Sequence, residues 1–115
     1  MAVSIPGSLS VSNDVVADMV GYAALESYGV VGMSMPTLTD GIAKLLPASR
    51  MRRGVDVQVT DEGVHVDLYI IVEHGTNLTE VSRMLAEKVQ YVLEDSAQLT
   101  VTGVEIHIQG IRTRN

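Results

Sequence analysis

Residues 64–85, VHVDLYIIVEHGTNLTEVSRML, decide the fold, because their hydrophobic period changes from two to about 3.6 across the GTN break. Val64, Val66, Leu68, Ile70 and Val72 share one face of an extended segment, and His65, Asp67, Tyr69 and Glu73 share the other. This predicts a strand with one buried face and one at least partly wet. Beyond Gly75, the Asn77 side chain can accept from a backbone N–H of a first helical turn, and Glu80 can reach back as in a capping box. The helix that follows presents Leu78, Val81, Leu85, Val89 and Val92 as one apolar stripe.

Working outward, Val55, Val57 and Val59 alternate with Asp56, Gln58 and Thr60, and the turn Asp61-Glu62-Gly63 closes a hairpin with the long strand. A final strand is predicted from about Leu99 to Ile108, but its phase slips. Leu99 and Val101 share one parity and Val104, Ile106 and Ile108 the other, so a bulge at Thr102-Gly103 is needed to keep one buried face. Towards the start, residues 9–11 suit a short edge strand, and Ser12 can cap a helix running to about Tyr28, where Gly29 ends it. VVGMSM is a short strand halted by Pro36. Thr37 or Thr39 can open a second helix through Ile42, Leu45 and Leu46 that Pro47 stops, with an arginine-bearing loop after it.

From residue 31 the order strand, helix, strand, strand, helix, strand predicts an α+β chain, a ferredoxin-like split βαβ two-layer sandwich with an additional N-terminal helix. At 115 residues it forms a single domain, with loose ends at about 1–8 and 113–115. The core must come from Val, Ile, Leu, Met and Ala, since 46% of residues are hydrophobic while Phe and Trp are absent and tyrosines number four. Few aromatics and a net charge of −6 argue against nucleic acid, which favours basic grooves with stacking rings. The absence of cysteine removes disulfides, thiolate zinc sites and a cysteine nucleophile. The start lacks a secretory signal pattern, and the longest strongly apolar run, LYIIV, is far shorter than the roughly 20 residues a spanning helix needs. A cytoplasmic location is expected.

Three separated motifs, SVSNDVVADMVGYAALESYGVVGM, the 64–85 stretch and VTGVEIHIQGIR, resemble in order and content the alkaline-shock-protein, or envelope stress response, family of small bacterial proteins. The resemblance covers roughly residues 10–112, with His74 standing where the family often has tyrosine. It implies a cytoplasmic protein acting at the inner side of the envelope, peripheral to the membrane through a partner. It brings no catalytic residues.

Sequence chemistry adds little catalysis. No GxSxG elbow, P-loop or dinucleotide fingerprint occurs, and GVVG at 29–32 precedes a strand where a phosphate cradle would open a helix. His65 with Asp67, and Glu105 with His107, each have the i, i+2 spacing that puts two ligand-capable groups on one side of a strand. In ferredoxin-like order another strand would separate these pairs by about 9 to 10 Å, so neither a metal nor a cofactor is expected. Ala17, Gly21 and Ala24 form a small-residue stripe suited to packing on the sheet or, alternatively, to self-association as a homo-oligomer. Lys44, Arg50, Arg52 and Arg53 hold half of the eight Lys and Arg within ten residues that contain no acid, a solvated loop or a docking surface for an acidic protein segment or anionic lipid.

The reading is a non-enzymatic interaction or scaffold protein in envelope stress or homeostasis, with a protein partner at or near the membrane. The alternatives are an accessory or regulatory subunit of a metabolic enzyme, and a small-ligand or metal-binding protein using the polar sheet face.

Overall fold

The computed structural model of the chain describes residues 12–37 and 43–113; the expected edge strand at 9–11 lies outside them. Helix α1, Asn13–Leu25, starts where Ser12 Oγ accepts from the Val15 N–H at 3.2 Å and stops three residues short of expectation. Gly29, at φ +83°, makes the turn into β1, Val30–Met33. After β2, Val55–Thr60, a tight turn leads into β3, Gly63–Glu73, whose Val64, Val66, Leu68, Ile70 and Val72 are all at most 4% exposed. Helix α2, Leu78–Tyr91, is capped by Asn77 Oδ1, which accepts from the Glu80 N–H at 3.0 Å. The reciprocal half of the capping box is replaced, because the Glu80 carboxylate accepts from Arg83 at 2.8 Å. That ion pair holds the Glu80 carboxyl below its ordinary range. A π turn, Val92–Ser96, ends the helix; Leu93, four residues beyond Val89, is in the core while Leu78, at the opposite end of the stripe, stays 39% exposed.

The architecture is the expected α+β, ferredoxin-like two-layer sandwich: α1 and α2 cover one face of a four-stranded sheet, and their Val16, Val20, Ala24, Val81, Leu85 and Val89 share a core with the valine face of β3. Strand neighbours differ from the ferredoxin-like order in one respect that matters. Strand β4, Val101–Arg112, lies directly beside β3 and parallel to it, with no strand between. A single helical crossover joins them, the usual way for a chain to place two parallel strands side by side.

Along the other edge of β3, β1 and β2 run collinearly. Met33 faces Ile70, Ser34 N–H donates to the Tyr69 carbonyl, and Val55 takes up the row opposite Leu68. In effect one edge strand is interrupted by an excursion of residues 35–54 that returns to within a residue of where it left. Gly54 permits this closure, since a Cβ there would lie 2.8 Å from the Ser34 carbonyl oxygen and 2.9 Å from Met33 Cβ. Residues 43–46 cross the sheet face opposite the helices. Leu45 bridges to Ser34, Ala43 packs on Gly110, and Arg112 Nη2 donates to the Ala43 carbonyl at 2.7 Å. This cover explains why Ile71, on the nominally polar face, is fully buried.

The helix expected through Ile42 to Leu46 falls partly on 38–42, outside the described residues, and residues 43–46 are not helical, Leu45 forming an isolated bridge to Ser34. Helical structure comes after Pro47 as a 3-10 segment, Ala48–Gly54, kinked at Arg50, whose φ −118° and ψ 20° are not helical; Arg52 and Arg53 sit on the helical turn beyond the kink and not in a loop. Its Met51 inserts between α1 and the sheet.

The bulge in β4 falls where expected. Val64 pairs with Val101 but His65 with Gly103, so Thr102 is the extra residue, and Val104, Ile106 and Ile108 pack against the core. A second irregularity, at Gln109, changes the phase again and sets Ile111 opposite Val72, where, one residue from the end of β4, it is 51% exposed.

Candidate functional site

The sheet face left open by the helices and by the 35–54 excursion carries the chain's densest chemistry. Register fixes its rows: Asp56, Asp67 and Glu105 stand side by side on β2, β3 and β4, flanked by Gln58, His65 and Gly103 on one side and by Tyr69 and His107 on the other. The two His/carboxylate pairs expected to be separated therefore meet, because β3 and β4 are neighbours. His65 Nε2 lies 3.0 Å from Glu105 Oε2 and 3.5 Å from Asp67 Oδ2, while His107 Nε2 donates to Asp67 Oδ1 at 2.8 Å. The geometric ground for setting a metal aside fails with that separation. One donor atom each from His65, Asp67 and Glu105 lies within 4.8 Å of the others, so these three could hold an ion.

The surroundings are half-buried. Tyr69 stacks on the His107 ring, centroids 4.6 Å apart and planes 11° from parallel. Burial first, then the charges of Asp67, Asp56 and Glu105, push the Tyr69 hydroxyl above its ordinary pKa. Neither Asp67 nor Glu105 pairs with a Lys or Arg among the described residues.

The other sequence-predicted residues divide. Ala17 and Ala24 are 5% and 0% exposed, and a Cβ on buried Gly21 would meet Met51 Cγ at 2.9 Å, so the small-residue stripe packs inside the molecule. It offers no surface to a second copy. Arg52 is internal in a different sense: its guanidinium donates twice to Asp18, at 3.0 and 2.9 Å, and lies 3.2 Å from Asp14, clamping the 3-10 segment to α1. The hydrogen bonds and charge of Asp18, then the charge of Asp14, raise its pKa further. Lys44, Arg50 and Arg53 are exposed and make no ion pair among the described residues. A shallow groove beside the clamp, lined by Asn13, Asp14, Ala17, Arg52 and Val55 to Val57, brings together no nucleophile and base.

Sequence reasoning missed a second surface, on the outer side of the helical layer. Tyr22, Tyr28 and Tyr91 are 63%, 68% and 64% exposed, so three of the chain's four tyrosines face outward. Tyr22 shares its face of α1 with exposed Val15, and Tyr91 shares its face of α2 with exposed Met84, each pair seven residues apart. Glu26 and Lys88, one turn along these same faces, come within 3.7 Å and join the two helices. The available signal was spacing: Tyr22 and Tyr91 fall off the buried stripes of α1 and α2, while Tyr28 lies in the turn between α1 and β1.

Together these features define a small α+β domain with two distinct open surfaces, and no helix among the described residues is long and apolar enough to cross a membrane. A family model described as the ASP23 family, with a cell envelope-related function, matches residues 2–113. The chain is 39% identical over 110 residues to "Uncharacterized protein YloU" of Bacillus subtilis (strain 168), covering 95% of this chain and 92% of that one. It is 37% identical over 107 residues to "Uncharacterized protein Spy1614" of Streptococcus pyogenes serotype M6, covering 92% and 88%. A solved MamM CTD variant superposes with a TM-score of 0.49 at 14% identity, over 83% of this chain and 92% of that one. The chain belongs to the alkaline-shock-protein family, whose function is cell envelope-related.

Proposed function

We propose that this protein is a non-enzymatic interaction component of cell-envelope physiology, acting on the cytoplasmic side and reaching the envelope through a protein partner and through copies of itself. The outward tyrosines carry this reading. A chain with 3% aromatic residues that exposes Tyr22 and Tyr91 on its two helices, and Tyr28 in the turn after α1, spends its scarce rings where protein interfaces concentrate them. Their amphipathic bodies cover apolar area while the hydroxyls stay wet, which suits a docking surface open in the free protein.

The test is the double substitution Tyr22→Ala and Tyr91→Ala, at positions exposed enough to leave the core intact. Sedimentation at tens of micromolar should show assembly by the parent chain and its loss in the variant. In cells the variant should lose its envelope-associated distribution. A parent that is monomeric, with a variant that distributes as the parent does, overturns the proposal.

A second reading is favoured by Lys44, Arg50 and Arg53, whose freedom from ion pairs among the described residues suits docking of an acidic protein segment or anionic headgroups.

A further inference from the structure

We infer that His65, Asp67 and Glu105 bind a divalent transition-metal ion of the zinc class on the open sheet face, with His107 holding Asp67 in place. The inference is independent of the docking surface on the helices, which lies on the other side of the molecule.

Backbone register creates the site. Asp67 and Glu105 are paired across β3 and β4, and the extra residue Thr102 is what brings Glu105, and not Val104, onto this face. His65 is two residues before Asp67 on the same strand, and its ring occupies the space that a side chain at position 103 would need. A Cβ on Gly103 would lie 2.7 Å from His65 Nδ1 and 3.0 Å from Cε1. The Nδ1 edge therefore rests against Gly103, and Nε2 faces the two carboxylates.

Donor spacing fits a small ion. Ligands about 2.0–2.1 Å from a tetrahedral zinc stand about 3.3 Å from one another. Here Nε2 lies 3.0 Å from Glu105 Oε2 and 3.5 Å from Asp67 Oδ2. The third side, from Asp67 to Glu105, is within 4.8 Å, and rotation of the exposed Glu105 side chain is what would close it. Asp67 is oriented from behind, since His107 takes Oδ1, leaving Oδ2 towards His65, and stacking on Tyr69 fixes the His107 ring. Outer partners of this kind set ligand geometry in metal sites.

Charge and donor type select the ion. Three carboxylates, Asp56, Asp67 and Glu105, share the face without a Lys or Arg counter-ion among the described residues, so a cation is favoured there. An imidazole nitrogen in a three-donor set favours zinc-like ions over calcium, which needs six to eight oxygens, and over magnesium, which holds to octahedral oxygen geometry. With Glu105 59% exposed, a fourth position opens to water or to a donor from a docked molecule. Binding uses the Nε2 lone pair of the neutral ring with its one proton on Nδ1, an imidazolium first releasing its Nε2 proton to solvent, and involves no redox step.

The experiment is calorimetric titration of zinc chloride into untagged protein, repeated with cobalt(II) so that the visible spectrum reports coordination, both with excess magnesium present. One equivalent should bind. His65→Ala and Glu105→Gln should each weaken binding at least tenfold, His107→Ala by about tenfold as expected of an outer partner, and His74→Ala should change nothing. Circular dichroism of each variant checks folding, and exposed Glu105→Gln carries the test should His65→Ala unfold. No saturable zinc uptake by the folded parent, or uptake that survives Glu105→Gln unweakened, overturns the inference. The former result would leave the carboxylates to a cationic side chain of a partner.

Discussion

Gly21→Leu separates a buried seam from an assembly surface. Gly21 lies in the middle of α1, and a Cβ there would sit 2.9 Å from Cγ and 3.0 Å from Sδ of Met51, well inside the roughly 3.5–4.0 Å of a relaxed carbon contact. Leucine adds three further carbons where Met51, 5% exposed, has little room to retreat. Overpacking of this kind costs about 1–3 kcal/mol, and replacing a helical glycine returns on the order of 0.7 kcal/mol. The net expectation is a loss of about 1 to 2 kcal/mol, read as a lower urea midpoint with an unchanged slope. Met51→Ala alone should cost about 2–5 kcal/mol by leaving a cavity. In combination the larger side chain at 21 occupies that cavity, so the double variant should lose about 1–3 kcal/mol less than the two single losses added. Sedimentation of the same samples should show the assembly state of the parent. A variant as stable as the parent but altered in assembly, or strictly additive losses, would refute internal packing at this seam.

Reversing Arg50 and Arg53 to Glu should leave the urea midpoint within about 0.5 kcal/mol of the parent while weakening capture on anionic vesicles or an acidic partner. Arg52→Glu instead sets a carboxylate against Asp14 and Asp18 and should lower the melting temperature; equal behaviour of the two variants would contradict the clamp. Deleting Thr102 should abolish folding, because it turns Val104, Ile106 and Ile108 to the open face and Glu105 and His107 towards the helices. A folded deletion variant with a cooperative melt would show that the bulge is dispensable.

Much of the sandwich was legible because a single cause, burial of one face, wrote the pattern. The valine and isoleucine alternation of β3, the Ser12 and Asn77 caps and the Thr102 slip are all local signatures of a residue's own environment. Pro47 was misread because proline fits the first turn of a helix as readily as it ends one, and here it opens the 3-10 segment. The collinear β1 and β2 were not legible, since the contact that closes the excursion, Gly54 against Ser34, joins residues with no periodic relation. Convergence of His65 and Asp67 with Glu105 and His107 was within reach: two strands joined by one helix are commonly parallel neighbours, and that rule outweighed the ferredoxin-like order borrowed from the count of elements. Ala17, Gly21 and Ala24 were identified as a seam, but which partner filled it depended on Met51, whose arrival no spacing announces.

Among the described residues every strand pairs with β3, and none of the other three pairs with another. Hydrogen exchange should therefore be graded: β3 amides, locked on both edges, open only with the whole molecule, whereas β4 can lift away while the β2–β3 hairpin stays shut. Such a lift carries Glu105 and His107 off together and leaves His65 and Asp67 behind on the spine. The cluster lasts only as long as one strand stays docked, and any ion that bridges β3 to β4 would lengthen that time.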